Sequence, residues 1–199
     1  MVAAAEAAKR GASVVLVEKN SKTGVKILMS GGTRCNLTQD TDARGIVSAF
    51  GRNGRFLQNS VGMFPPTAVV RMFSELGVPT KVESTGKVFP QSDRALHVRD
   101  ALQRQAEQSG VQIRLGSGVR DLRRERDGWC VETHDGPITA DRVVVTAGGK
   151  SWPGCGTTGD GYGWLQRVGH TIVTPRPALV PLVGGYSWTR ELSGVTLDD

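Results

Sequence analysis

Two sets of residues in this chain have the types and spacing to hold a phosphorylated nucleotide. The first is the apolar run Val14–Val17 ending in Glu18, whose carboxylate can accept hydrogen bonds from the hydroxyls of an adenosine ribose. In a complete dinucleotide-binding unit such an acid lies about 20 residues beyond a Gly-x-Gly-x-x-Gly turn that cradles the pyrophosphate, with one helix between them. Counting back from Glu18, that helix is Met1–Arg10, alanine-rich and closed by Gly11, so the turn is expected immediately before Met1. The plainer alternative is an ordinary buried strand with a solvated Glu18 at its end.

The second set is glycine-rich. Ala140–Lys150 reads as another buried strand running into Gly148-Gly149, and glycines there let a backbone approach a ligand at the crevice of an open α/β sheet. Gly154–Tyr162 then leads into a short helix through Trp164, Leu165 and Val168 that Gly169 ends. Thr158 or Asp160 is expected to cap it, and a glycine-lined helix N-terminus suits a phosphate or another cofactor oxygen. Either segment alone could be a tight turn, but both downstream of Glu18 favour a nucleotide site.

Other reactive side chains are less informative. Cys35 lies beside Arg34, a cation that could lower its pKa and make it a reactive thiol, and the competing reading is a small buried loop residue. Cys35, Cys130 and Cys155 are an odd, widely spaced set without a Cys-x-x-Cys pair, which argues against a disulfide framework or zinc site and suits a reducing cytoplasm. His97 and His134 read as surface or boundary residues, and His170 follows a helix-ending glycine. No metal is expected and no catalytic residue is assigned. Trp152 reads as packing over the sheet end, with a place at the border of a cofactor as its other reading.

The formal net charge of +6 admits an anionic partner without identifying one. Arg44, Arg52 and Arg55 flank Phe50 and Phe56, types that serve nucleic acids through phosphate contacts and stacking. The cations are scattered and no nucleic-acid module is present, so a solvated surface is expected. No run approaches the roughly 20 apolar residues of a membrane span, and the first helix lacks the apolar segment of a signal peptide.

The elements that must position these residues alternate as in a layered α/β protein. Pro66–Leu76 reads as a helix with Val69, Val70, Phe73 and Leu76 on one face and Gly77 at its end. Val78–Val82 and Val88-Phe89 read as strands joined by a turn at Ser84–Gly86. Ser92-Asp93 is the expected cap of a helix over Ala95–Ser109, with Leu96, Arg99, Leu102 and Ala106 facing inward and Gly110 as its stop. Val111–Leu115 is a further strand. Gly118–Leu122, Trp129–Thr133 and Pro137–Thr139 form an antiparallel meander turning at Asp127-Gly128 and Asp135-Gly136, and Arg120–Arg126 alternates with acids as a solvated strand edge.

Taken together these residues resemble a known family. The runs Glu18-Lys-Asn20, Lys26-Ile-Leu-Met-Ser-Gly-Gly-x-Arg-Cys-Asn36, Thr146-Ala-Gly-Gly-Lys-Ser-Trp-Pro153, Thr158-Gly-Asp-Gly-Tyr162 and Leu192-Ser-Gly-Val195 are similar to those of the BaiN/RdsA-type NAD(P)/FAD-dependent oxidoreductases, the aminoacetone-oxidase-family or YhiN-like flavoproteins. The similarity covers essentially the whole chain, and the Ser-Gly-Gly-x-Arg-Cys-Asn loop is its most specific part. It implies an α/β fold, an FAD/NAD(P)-binding Rossmann-like domain with a parallel sheet and a small antiparallel meander, whose first strand and C-terminal segment lie outside this sequence. It also implies an incomplete FAD-binding domain over 1–186 and the start of a truncated second, substrate domain over 187–199.

Carried over residue by residue, the resemblance implies that Glu18 binds the adenosine ribose and Lys19 covers the adenine side. Lys26 and Arg34 would offset pyrophosphate charge. Ser30, Gly31 and Gly32 would turn main-chain N–H groups toward the cofactor, and Asn36 would fix a ribityl or flavin polar atom. Val119 would meet adenine with backbone groups, Ala147, Gly148 and Gly149 would pass beneath the dinucleotide, and Gly159, Asp160 and Gly161 would lie near the flavin end. Thr33 replaces a usual third glycine, a local conflict if that position needs positive φ, and Val25 replaces a usual basic residue.

The function implied is a cytoplasmic oxidoreductase passing hydride from a nicotinamide nucleotide, NADH or NADPH, through FAD to a small-molecule substrate, with no membrane and no nucleic-acid partner. A flavoprotein oxidase using oxygen is the second reading. A basic nucleic-acid-binding protein and an inactive fragment are the others. The sequence assigns neither the substrate nor an oligomeric state.

Overall fold

A computed structural model describes residues 1–177 and 185–192. The first helix, α1 (Val2–Lys9), is almost wholly alanine and valine, and its small face allows a close approach: Ala5 and Ala106 are both fully buried in one cluster with Val111. Around them pack Ala4, Ala8, Val14, Leu16 and Ile113. Strand β1 (Val15–Val17) runs parallel to β5 (Gln112–Arg114), Leu16 opposite Ile113, so this cluster covers the parallel pair.

A second cluster lies on the same long helix, α6 (Ala95–Gln108). Val98, Ala101 and Leu102 pack with Cys35, Phe73 and Val78, flanked by Ile27 and Leu28 of α2 (Val25–Met29) and by Val69 and Met72 of α5 (Pro66–Glu75). Proline at the first position of α5 removes an N–H that would have no helical partner. Two antiparallel sheets complete the described fold. β2 (Thr38–Gln39), β4 (Lys87–Pro90) and β3 (Thr80–Val82) form one in the order 2-4-3. The other is the meander β6 (Val119–Glu125), β7 (Gly128–Thr133) and β8 (Gly136–Ala140), with a bulge between Val119 and Asp121. Between β2 and α5 stand α3 (Ala43–Ala49), a 3-10 turn over Gly51–Asn53 and α4 (Gly54–Met63). The last helix is α7 (Asp160–Arg167), held to β6 by Arg167, which donates to the Asp121 carboxylate at 2.9 Å.

The four glycines read as helix stops all serve as such. In α1, α5, α6 and α7 the residue after the glycine donates back across the last turn, as in Val78 N–H to Phe73 O at 2.8 Å and Val111 N–H to Ala106 O at 3.1 Å. Val78 and Val111 are thereby carried straight into the clusters that hold Phe73 and Ala106.

Three expectations are corrected. Residues 142–149 form no ladder among the described residues, and Val144 is 71% exposed. The alternation of half-buried Val143 and Val145 with exposed neighbours persists because one side of the segment faces α7, but pairing needs an adjacent strand, and β1 offers its described ladder to β5. The inner face of α6 is Ala95, Val98, Ala101, Leu102, Gln105 and Ala106, and Leu96 is exposed. α6 is gripped from two sides, by α1 and by α2, and the alanines admit both, which turns the helix away from the larger Leu96. Ser92-Asp93 does not cap it either. Arg94 occupies the cap position, and the Ala95 N–H donates to Thr33 O at 3.0 Å.

Among the described residues no helix is long and apolar enough to cross a membrane. The run Leu192–Val195 and the stretch 187–199 lie only partly within the described residues, Leu192 being the last of them.

The α1–α6 crossing predicts a sharp size limit. Ala106→Leu should lower stability by about 1–3 kcal/mol through overpacking, whereas Leu96→Ala should cost under about 1 kcal/mol, as read from urea unfolding midpoints at constant m.

Candidate functional site

Glu18 emerges where both parallel strands end. Its N–H donates to Arg114 O at 2.9 Å, extending the ladder by one residue, so the carboxylate stands at the C-terminal edge of the pair, where open α/β sheets bind ligands. Asn20 fixes it: Glu18 Oε1 accepts from the Asn20 N–H at 2.8 Å and from Asn20 Nδ2 at 2.9 Å, and Oε2 has no protein partner among the described residues. The chain leaving β5 runs alongside. Gly116 N–H donates to Asn20 O at 2.9 Å and Ser117 N–H to Glu18 O at 3.0 Å, which brings Gly118 and Val119 beside Glu18-Lys19. Ser117 is almost fully buried and its hydroxyl is unpartnered among the described residues.

The next residue ties this edge to α7. Lys19 Nζ donates to Thr158 Oγ1 at 2.7 Å and to Asp160 Oδ2 at 2.8 Å. The Lys19 hydrogen bond, helped by Thr158, holds the Asp160 carboxyl below the usual carboxylate range. Neither Thr158 nor Asp160 caps α7. Gly159 is the N-cap at φ +80°, and the Thr158 hydroxyl is turned to the Asp160 side chain, because Lys19 draws both away from the helix N–H groups. Two further contacts close the seam: Lys26 Nζ to Ser151 O at 3.4 Å and Asn20 Nδ2 to Cys155 O at 3.3 Å. Thus Glu18, Lys19, Lys26, Val119 and the 147–161 segment form one neighbourhood.

Along that seam the glycines make room for the protein's own side chains. Gly148 has φ +76°, and a Cβ there would lie 3.1 Å from Thr157, while one at Gly159 would lie 2.6 Å from Lys150. Gly149 faces the Tyr162 hydroxyl, and buried Gly161 lies against Val145 and Ala147. Trp152 does not pack over the sheet end. It is 61% exposed at φ +63°, an unfavourable backbone for a bulky residue and doubly so before Pro153. Thr157 holds it there, its hydroxyl bonding the carbonyls of Ser151 and Trp152.

The Ser30–Asn36 loop is wound by left-handed residues. Gly31, Gly32, Thr33 and Cys35 have φ of +55°, +63°, +69° and +67°, and Cys35 N–H donates to Ser30 O at 3.0 Å. Thr33 therefore does sit where a glycine would be unstrained. A Cβ on Gly31 would meet the Asn36 nitrogen at 2.8 Å and Phe89 at 2.9 Å, while Gly32 opens to space. Arg34 turns away from the Glu18 neighbourhood: its guanidinium lies 4.0 Å over the Phe89 ring and donates to Glu83 Oε1 at 2.5 Å, with Asp93 Oδ1 at 3.5 Å. Lys81 completes this ion cluster on Asp93. The Cys35 thiol is buried, and burial pushes its pKa up, so the reactive-thiol reading falls: Arg34 is committed to Glu83. Ser30 Oγ donates to Ile27 O at 2.9 Å, and Asn36 is exposed.

From the sequence, Asn20 is named only as part of the Glu18-Lys-Asn20 run, and no role falls to it, to Ser117 or to Thr157. Only the small-residue run Gly116-Ser117-Gly118 after a strand could have signalled one of them. Among the described residues no group of three or more His, Cys, Asp or Glu is placed to hold a metal ion.

A family model described as the HI0933-like protein Rossmann domain matches residues 1–198. A 3-dehydro-bile acid delta(4,6)-reductase from Clostridium scindens is 33% identical over 100% of this chain and 48% of its own length. A ribosomal RNA dihydrouridine synthase from Escherichia coli is 28% identical over 91% of this chain and 44% of its own. The chain spans about half the length of the curated relatives it matches. Among solved structures, glycine oxidase from Geobacillus kaustophilus aligns with a TM-score of 0.45 at 16% identity, covering 85% of this chain and 55% of that one.

Two measurements test the geometry. Gly31→Ala should cost about 2–3 kcal/mol and Gly32→Ala only about 1 kcal/mol in chemical unfolding, since the first adds a backbone clash to the left-handed penalty. An NMR titration should place Asp160 below an ordinary aspartate, and Lys19→Gln should move it up. As the folded value is the lower one, the contact's stabilisation is present above the ordinary range and fades as pH falls through the depressed value.

Proposed function

The chain belongs to the HI0933-like Rossmann-domain family, and from that we propose that it is the nucleotide-binding part of an FAD-dependent oxidoreductase. The observation that carries this reading is Glu18, a carboxylate at the C-terminal edge of a parallel strand pair, with one oxygen pinned by Asn20 and the other unpartnered among the described residues. That is the donor-acceptor requirement of a ribose diol. The group's fit is supported by the buried Ser117 hydroxyl beside Glu18, unpartnered among the described residues, and by Gly32, where a Cβ would meet only open space.

On this reading Glu18 holds the ribose, with Lys19 and the backbone at Val119 to its side. Lys26, whose ammonium makes one long contact to Ser151 O, supplies charge for the pyrophosphate. Ala147, Gly148 and Gly149 form the floor, Gly159, Asp160 and Gly161 stand on the adenosine side with Lys19, which bonds Asp160 at 2.8 Å, and not at the flavin end, and the Ser30–Asn36 loop presents N–H groups and Asn36. Arg34 acts by fixing that loop to β4, since its guanidinium is already shared by Glu83, Asp93 and the Phe89 ring. Trp152 borders the cofactor. When bound, FAD supplies two-electron chemistry, and the protein's part is positioning and electrostatics.

We take a nicotinamide nucleotide as electron donor. The relatives' names, a delta(4,6)-reductase and a dihydrouridine synthase, both denote reduction of a carbon–carbon double bond, which we propose as the class of acceptor. Residues 1–186 belong to the FAD unit and 187–199 open a second domain that carries substrate specificity.

The test is FAD titration, followed by flavin absorbance and fluorescence, into a polypeptide carrying this chain at the full length of its relatives. Wild type should bind stoichiometrically, and Glu18→Ala should weaken binding by about tenfold or more, the value of one lost pair of charge-assisted hydrogen bonds. A folded, full-length protein that takes up no FAD would overturn the reading.

A further inference from the structure

We propose that the indole of Trp152 is a platform against which the isoalloxazine ring of the cofactor stacks, an inference that rests on the FAD reading and gives this side chain a task within it. Four residues other than glycine have positive φ among the described residues: Thr33, Cys35, Asp93 and Trp152. In the first three the strain is offset by a contact the residue itself makes. Thr33 O takes the Ala95 N–H at the start of α6, Cys35 is buried in the core, and the Asp93 carboxylate is shared by Arg34 and Lys81.

Trp152 differs. The fold engages its carbonyl, which accepts from the Cys155 N–H at 3.0 Å and from the Thr157 hydroxyl at 2.9 Å. A glycine would accept both bonds at the same φ of +63° without strain. The indole makes no hydrogen bond, ring stack or cation–π contact among the described residues, and Gly154, beside its Nε1 edge, has no side chain to cover it. An exposed ring kept on a strained backbone, where glycine would serve the fold as well, points to a partner outside the fold. Thr157 on one side and the fixed φ of Pro153 on the other hold the residue in place, so little freedom is left to lose on binding.

Its place along the seam selects the part of the cofactor it meets. The contacts across the seam run in opposite chain directions: Lys19 to Thr158 and Asp160, Asn20 to Cys155 O, and Lys26 to Ser151 O. Glu18 therefore stands at one end, beside Lys19, and Trp152 at the other, beside Ser151. A dinucleotide with its adenosine ribose on Glu18 and its phosphates at Lys26 has its second half on the Trp152 side. In FAD that half ends in a flat, electron-poor ring, and an indole offers it an electron-rich face for offset stacking.

The test uses the full-length polypeptide with and without FAD. Trp152→Gly should weaken FAD binding by about tenfold, the scale of one lost aromatic stack, and should brighten the bound flavin, whose emission a stacked indole quenches. Trp152→Phe should recover most of the affinity yet stay brighter than wild type, since a phenyl ring stacks but quenches poorly. Without FAD, Trp152→Gly should unfold at the wild-type urea midpoint or above it, because the change relieves strain and removes little burial. A protein that binds FAD with the same affinity and emission in wild type and Trp152→Gly overturns this proposal and leaves the FAD reading standing. A lowered urea midpoint of Trp152→Gly without FAD also overturns it, the ring then serving the fold. Failure of the wild type to take up FAD overturns both.

Discussion

Helix α6 belongs to both hydrophobic clusters, and that double burial is the constraint on which the rest of the described structure depends. Its C-terminal half, at Ala106, meets Ala5 over the parallel strands, and its N-terminal half, at Val98 and Leu102, meets α2 and α5. Neither neighbour could shift without opening one cluster, because close-packed interiors forfeit contact energy over gaps smaller than an atom. Position along α6 therefore fixes the distance between the strand edge that carries Glu18 and the loop that carries Ser30–Asn36. Thr23 adds a polar tie at the same interface, its hydroxyl donating to Gln103 at 2.8 Å.

The loop pays back this support at the helix's other end. Thr33 O takes the Ala95 N–H, one of the donors a helix leaves unpaired at its start, so the loop caps α6 with its own backbone. The strain of Thr33 and Cys35 in the left-handed region is sustained by what surrounds them: Gly31 against Phe89, Arg34 clamped by Glu83 and the same ring, Cys35 inside the cluster. On the opposite flank, Lys19 joins the strand edge to α7 through Asp160 and Thr158. The neighbourhood is thus closely packed at its glycines and polar in its fastenings, the combination that suits an anionic, hydroxyl-rich ligand.

Much of this was legible from residue types. Gly11, Gly77, Gly110 and Gly169 marked four helix ends because a Schellman turn needs a left-handed residue that glycine adopts freely. The meander announced itself through period-2 alternation and Asp-Gly turns. Short or non-local features did not. The two-residue strand β2 carries no periodicity, and the 2-4-3 sheet it joins depends on partners far along the chain. The 142–149 segment has the apolar pattern of a strand, yet a ladder is a property of two segments. Arg34 shows the same limit in a single side chain: its type suits a phosphate, but Glu83, 49 residues away, claims it.

By itself, then, the sequence determined the elements whose cause is local: helix stops, hairpin turns, the apolar strand ending in Glu18 and the small residues that let a backbone come close. The tertiary structure decided which charges remain available. It spent Arg34 on Glu83 and Lys19 on Asp160, buried Cys35 so that its pKa rises, and left Glu18 Oε2 without a partner among the described residues. The physical reason is range. Backbone conformation is set by neighbours a few residues apart, whereas pairing of charges follows distance in space, which only the packed chain defines.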